Sequence, residues 1–171
     1  MKRFILEKFL RVTKNREKLE KSLNVKISNR GKEIVMEGPP LDEYVAEKVL
    51  DALDFGFPFS VAMSIKEEEY VFEIISIKKY TKKSDLKKVR ARIIGSGGKT
   101  LRALTELTKC NFEIKGNEIG IIGDAEEIKP AQQALISLIR GSKTANVYAY
   151  LEKHHPLPVF DLGLKEARKK K

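Results

Sequence analysis

The sequence has no tryptophan and a single cysteine, Cys110, in 171 residues. One thiol excludes an internal disulfide and any zinc cluster built on cysteines, and it suits a reducing compartment. The only two histidines are the adjacent His154 and His155. Such a pair without further ligands reads as surface, not as a metal site. No Ser/His/Asp set, paired carboxylate or Cys/His dyad stands out, so neither an active site nor a cofactor is expected. Long apolar runs are missing too: Met1-Lys2-Arg3-Phe4-Ile5-Leu6 is cut short by Glu7-Lys8. With no transmembrane span or signal-peptide core, a cytoplasmic protein without a membrane partner is expected.

Charge is what the chain has in excess. There are 34 Lys and Arg against 24 Asp and Glu, a net +10, while 42% hydrophobic residues leave material for real cores. The excess is uneven. Residues 1–69 carry 13 basic and 13 acidic side chains, and residues 70–171 carry 21 against 11. A polyanionic partner is expected for the second half, and a different role for the first.

The chain repeats itself. In the first copy Val25 and Ile27 alternate as a strand and Asn29-Arg30-Gly31-Lys32 turns. Ile34 and Met36 then mark a returning strand, and a helix runs from about Leu41 to Leu53. In the second copy Phe112 and Ile114 alternate, Lys115-Gly116-Asn117 turns, and Ile119 and Ile121 return. A helix follows to about Arg140, with Asp124 and Glu127 as its expected capping pair. From Ile34 and Ile119 onward the copies stay 85 residues apart. What precedes each hairpin differs. The second copy has a strand from Val71 to Ile77, a short helix from Asp85 to Ile94, glycines, and a helix from Lys99 to about Lys109. The first has a strand from about Phe4 to Val12 that leads into one helix, Arg16 to Leu23, with one helix and the glycine loop missing. Between the copies, Phe55-Gly56-Phe57-Pro58-Phe59 reads as a hinge or packing seam.

The chemistry concentrates at the glycines. Residues 78–102 hold ten Lys or Arg against one acid, Asp85, and Ile94-Gly95-Ser96-Gly97-Gly98-Lys99 lies at their centre. Glycines let a backbone approach a ligand, and the N–H groups opening the following helix carry positive partial charge. A sugar-phosphate chain fits that combination better than a bland interhelix turn does. Gly98-Lys99-Thr100 also invites a nucleotide-binding P-loop, but that motif needs glycine where Ile93 stands and a strand where the pattern is helical.

These residues resemble a known family. Val89-Arg90-Ala91-Arg92-Ile93-Ile94-Gly95-Ser96-Gly97-Gly98-Lys99-Thr100, continued by Leu107 to Ile114, is similar to the signature of a type I KH domain. With Gly141-Ser142 and Val147-Tyr148-Ala149-Tyr150-Leu151-Glu152, and with the degenerate first copy, the chain resembles the partner-of-Nob family of archaeal and eukaryotic small-subunit ribosome assembly factors. The resemblance implies an α+β fold of tandem KH-like units, each a three-stranded sheet with helices packed on one face. The units would be residues 1–69, without Gly-x-x-Gly and with Lys14-Asn15-Arg16-Glu17 near its place; residues 70–153; and a basic tail, 154–171. A KH loop clamps about four nucleotides of single-stranded RNA while bases lie in an apolar groove. The expected contacts are Arg90, Ala91, Arg92, Ile94, Gly95, Ser96, Gly97, Gly98, Lys99, Arg102, Phe112 and Ile114. Arg92, Lys99 and Arg102 are the foremost phosphate ligands, and the register must decide which of Phe112 and Ile114 faces the groove. The family implies the 3′ end region of small-subunit rRNA as target and the Nob endonuclease as partner.

Two rivals remain at this level: a KH module of another RNA process, exosome-associated or transcript-binding, and a scaffold whose basic face docks acidic proteins. Cys110 is expected to be a buried small hydrophobe in the place of Leu23. Glu67-Glu68-Glu69 is read as an exposed turn, and Lys169-Lys170-Lys171 as a solvated end of the tail.

Overall fold

A computed structural model describes residues 1–154, as two three-stranded antiparallel sheets, each packed against helices. In the first half β1 (Lys2–Ile5), α1 (Phe9–Lys14), α2 (Arg16–Leu23), β2 (Lys26–Arg30), β3 (Glu33–Glu37) and α3 (Pro40–Phe55) follow in order, with sheet order β1-β3-β2. The connecting α4 (Phe59–Met63) and a 3₁₀ turn lead into β4 (Tyr70–Ser76) and α5 (Ile77–Tyr80). Then come α6 (Leu86–Ile94), α7 (Lys99–Thr108), β5 (Asn111–Lys115), β6 (Glu118–Asp124), α8 (Ala125–Arg140) and α9 (Thr144–His154). The second sheet has the order β4-β6-β5, the same arrangement as the first.

The repeat is tighter than the sequence pattern suggested. Ile27 pairs with Met36 in the first sheet and Phe112 with Ile121 in the second, both at the 85-residue spacing. The sixteen-residue helices α3 and α8 keep it, as do the left-handed caps Asn24 (φ 54°) and Lys109 (φ 59°) that end α2 and α7. At that spacing the partner of Cys110 is Val25, not Leu23; both are buried. Before α2 the spacing changes. Ile5 faces Glu33 and Ser76 faces the equivalent Glu118, a spacing of 71. The second copy therefore carries fourteen more residues between its first strand and the helix that follows the glycine loop.

The helix expected to be missing from the first half is present, which corrects one expectation. Phe9–Lys14 is helical, so the strand predicted to run to Val12 stops at Ile5. Here Val12 is buried, Phe9 packs on the core, and the Lys8 N–H donates to Asp54 Oδ1 at 2.7 Å at the helix entry. Apolar residues at 4, 5, 6, 9, 10 and 12 fit a strand as well as a helix, and the short run gave periodicity little to act on. What the first half does lack is the glycine loop, since α1 and α2 meet at Asn15.

Two cores hold the molecule together. One gathers Leu19, Leu23, Ile27, Ile34, Met36, Val49 and Leu53; the other gathers Ile93, Leu104, Ile119, Ile121, Leu135 and Leu138. The aromatic segment between them is a seam. Phe55 and Phe57 stack at 5.9 Å between centroids, and both meet the edge of Phe72 on β4, at 5.9 and 5.7 Å. Ile122 of β6 belongs to the first core, and a Cβ on Gly120 would stand 2.8 Å from each of the Phe55 and Phe57 rings. The second sheet is thus buried on both faces at its centre: helices cover Ile119 and Ile121, and the first half covers Gly120 and Ile122. Across the seam, Lys115 Nζ pairs with Glu7 at 3.0 Å.

Candidate nucleic-acid interface

The loop between α6 and α7 begins where α6 runs out of side chains that can continue it. Gly95 closes the helix by donating to the Ala91 carbonyl (2.9 Å) and turns to φ 74°, ψ 174°, a region essentially reserved for glycine. A Cβ there would collide with Thr100, standing 2.8 Å from its backbone nitrogen. Gly97 (φ 58°) and Gly98 (φ 77°) are also left-handed, but nothing lies within 4 Å of where their Cβ atoms would be. The first glycine is thus needed by the fold, and the other two leave an open face. No side chain caps α7 at Gly98. Its first N–H groups and its dipole are presented together beside the exposed Ser96, Gly97 and Lys99.

Arg102 bends back one turn and donates from Nη2 to the Gly97 carbonyl at 2.8 Å. This pins the loop and holds a guanidinium at its rim. From Leu86 to Thr105 there is no acidic residue. Asp85, the one acid in the expected cluster, is occupied as the cap of α6, accepting from the Lys88 N–H at 3.2 Å.

The apolar wall comes from two directions. Ile94 remains 37% exposed beside the loop, and Ala91 is exposed one turn earlier. Opposite them is β5, an edge strand. Phe112 and Ile114 pair with Ile121 and Ile119, so both point to the helix-covered face, both partly buried. Register therefore offers no choice between them; they share one side of the groove. Arg90 reaches from α6 to the Asn117 side chain in the β5–β6 turn and ties the two walls together.

Arg92 is not brought to this groove. At 3.6 residues per turn it lies about 160° around α6 from Ile94, and its guanidinium donates to the Ser142 carbonyl after α8. The sequence clustered it with Lys99 and Arg102 because density along the chain does not distinguish the two flanks of a helix. Sequence reasoning also missed the Arg102 pin and the Arg90 tie. Neither has a spacing signature, because each partner is a backbone carbonyl or a turn residue.

Other candidates have structural roles. Cys110 packs against Gly123 and is buried, and burial pushes its thiol up to about 11. It stays protonated and inert at neutral pH. His154 Nδ1 hydrogen-bonds the Tyr150 carbonyl at 3.0 Å; His155 and Lys169 to Lys171 lie outside the described residues. Asp124 caps α8 through the Glu126 N–H (2.9 Å), one residue earlier than the expected Glu127. Among the described residues no cluster of three or more His, Cys, Asp or Glu is placed for a metal, and no helix is long and apolar enough to cross a membrane. A depression of about 790 Å³ lies elsewhere, between α3 and β4 under Leu41, Tyr44 and Tyr70, and its lining carries Asp42, Glu67, Glu68 and Glu73 against Lys48 and Lys66. That excess of acid suits phosphate less well than the glycine loop does.

Strand order β4-β6-β5, a helix pair joined by a left-handed Gly-x-x-Gly loop, and a closing helix on one face define the second half as a type I KH domain. Residues 71–156 match the profile described as the eukaryotic type KH-domain (KH-domain type I) of Pno1. A KH domain-containing protein of Methanocaldococcus jannaschii is 32% identical over 115 residues, covering 67% of this chain and 51% of that protein. The pre-rRNA-processing protein pno1 of Aspergillus fumigatus is 28% identical over 144 residues, covering 80% of this chain and 57% of the relative. The chain spans about half the length of these curated relatives. Dim2p of Pyrococcus horikoshii superposes with a TM-score of 0.80 at 25% identity, over 89% of this chain and 98% of that one. A chain from the same organism's complex of a/eIF2alpha, aDim2p and rRNA gives 0.79 at 27% identity, over 89% and 92%. The chain belongs to the Pno1/Dim2 family of KH-domain ribosome assembly factors.

Proposed function

We propose that the second half binds single-stranded RNA without catalysing its cleavage, and does so in rRNA processing. The observation that carries this reading is the loop itself. Open left-handed glycines sit at an uncapped helix N-terminus, with an acid-free basic flank on one side and the apolar wall of Ile94, Phe112 and Ile114 on the other. Phosphates lie against the loop while splayed bases enter the groove, the single-strand mode of a KH loop. The rRNA present in the aDim2p complex and the pre-rRNA-processing names of the relatives support the same substrate class. Within that class, the target we propose is the 3′ end region of small-subunit rRNA, with the Nob endonuclease as protein partner and the cytoplasm as location.

Residues 70–153 would be the binding unit, residues 1–69 its scaffold, and the basic tail, 154–171, an accessory. A protein-facing role for residues 1–69 is favoured by their zero net charge and by the acid-rimmed depression at α3. The test is the double variant S96D/G97D, two negative charges at positions whose side chains meet open space. Affinity for short single strands should fall at least ~10-fold, about 1.4 kcal/mol, with the fold intact. Unchanged binding by the folded variant overturns the proposal. Competition between a single strand and its duplex is the companion test, and equal affinities would reduce the interaction to nonspecific phosphate attraction.

A further inference from the structure

The flank of α6 turned away from the groove has a site of its own. Lys83, Lys88 and Arg92 ring a depression of about 370 Å³ floored by Val89, Leu138 and Ile139. Two of these cations converge. A Cβ on Gly141 would stand 3.5 Å from Arg92 Nη1 and 3.9 Å from Lys83 Nζ, so both heads lie within 4 Å of one point. Among the described residues neither has a carboxylate within ion-pair distance; Asp85, 3.9 Å from Lys88 Nζ, is the sole acid on the rim. Arg92 is held in place by the Ser142 carbonyl, which occupies only part of its donor fork. Arg140 and Lys79 extend the positive surface, both over the Tyr80 ring at 5.9 Å.

Three like charges gathered with one rim acid, Asp85, repel, and among the described residues only that acid and the carbonyl end of α8 compensate them. A bound anion would. The apolar floor adds a surface for a ribose or base, and the size fits one nucleotide. Between this depression and the groove the crest of α6 carries only Lys87 and Ala91, both exposed. A strand leaving the groove can cross a helix about 10–12 Å wide without passing an acidic residue.

We propose that the RNA bound in the glycine-loop groove continues over α6 and places a further nucleotide in this depression, its phosphate between Lys83, Lys88 and Arg92. The inference rests on the RNA-binding reading above, and its test separates the two. Random-sequence RNA pools of ~4 and ~12 nucleotides are titrated against the full chain, the shorter filling only the groove. The variants are K83E/K88E, both exposed positions, and the control K18E/K21E on α2, which changes net charge equally. K83E/K88E should weaken the long pool at least ~10-fold and leave the short pool within ~2-fold. It should also flatten the salt dependence of the long pool by about 0.7 in log–log slope, for one lost phosphate contact. K18E/K21E should leave both pools within ~2-fold. Equal losses for the two pools, an equal loss in the control, or a long pool that K83E/K88E does not weaken would each overturn the inference. S96D/G97D distinguishes the readings. If it weakens the short pool while K83E/K88E changes nothing, the groove stands and the flank site falls; if it leaves the short pool unchanged, the groove reading falls.

Discussion

Glycines in the same loop carry different burdens. Gly95 combines φ 74°, ψ 174° with a close approach to Thr100, whereas Gly97 at φ 58° meets open space. G95A should therefore cost about 3 kcal/mol, combining strain at a glycine-only conformation with displacement of Thr100. G97A should cost about 1 kcal/mol, the ordinary penalty of a left-handed alanine. Urea unfolding of both variants checks the contrast, and equal midpoints would refute it. A second residue-scale prediction concerns Glu20, which accepts from the Ile27 N–H at 2.7 Å and so ties α2 to β2. That hydrogen bond, with Arg16 adding to it, holds the Glu20 carboxyl below its ordinary value of 4.5. Because the folded value is the lower one, the stabilisation is complete above the unfolded pKa and is lost as pH falls through the folded one. E20Q keeps an acceptor and loses the charge. It should be less stable than the parent at pH 7, by up to about 1 kcal/mol, and the difference should vanish at pH values below the lowered pKa.

At the scale of elements, the decisive contact is β6 against the aromatic segment after α3. G120A would push a methyl into the Phe55 and Phe57 rings at 2.8 Å, so it should destabilise the full chain by about 3 kcal/mol. Alanine at Gly116, a turn position with nothing within 4 Å, should cost only the left-handed penalty of roughly 1–2 kcal/mol; a G120A no worse than G116A would mean that the seam can open. The hairpins and long helices at this scale were legible because their apolar residues repeat cleanly, Phe112-Ile114 facing Ile121-Ile119 and Ile27 facing Met36. Short elements were not. α1, α4 and α5 have six residues or fewer, too few for a helical period to separate from a strand. In α9 the run from Val147 to Glu152 is too short for its period to declare a helix, although Val147 and Leu151 bury its face. The glycine loop was legible because it is contiguous in sequence. The displacement of Arg92 was not, because flank assignment requires knowing which face of α6 is buried, and Val89 and Ile93 set that face only once packed.

At the scale of the whole molecule, the two halves share a wall, so the first cannot be removed as an inert appendage. A fragment beginning at residue 70 would uncover Phe72, Gly120 and Ile122, which pack on the first core, and any loss of affinity would mix unfolding with lost contacts. The division of labour is better tested within the intact chain. Arg3 and Arg30 flank a shallow depression on the open face of the first sheet, with Glu33 among them. Lys99 and Arg102 stand at the glycine loop. R3E/R30E and K99E/R102E change net charge equally, so a protein that attracts RNA only through its overall +10 would respond alike to both. If the glycine loop is the clamp, K99E/R102E should weaken a short single strand by ~30-fold or more, about 2 kcal/mol, and R3E/R30E by less than ~3-fold. The parent should also lose affinity with salt at a log–log slope near −3, as about four neutralised phosphates require, and K99E/R102E should lower that slope by about 1.4. Equal weakening by the two variants at matched salt would reduce the attraction to overall charge and end the reading of the glycine loop as the clamp.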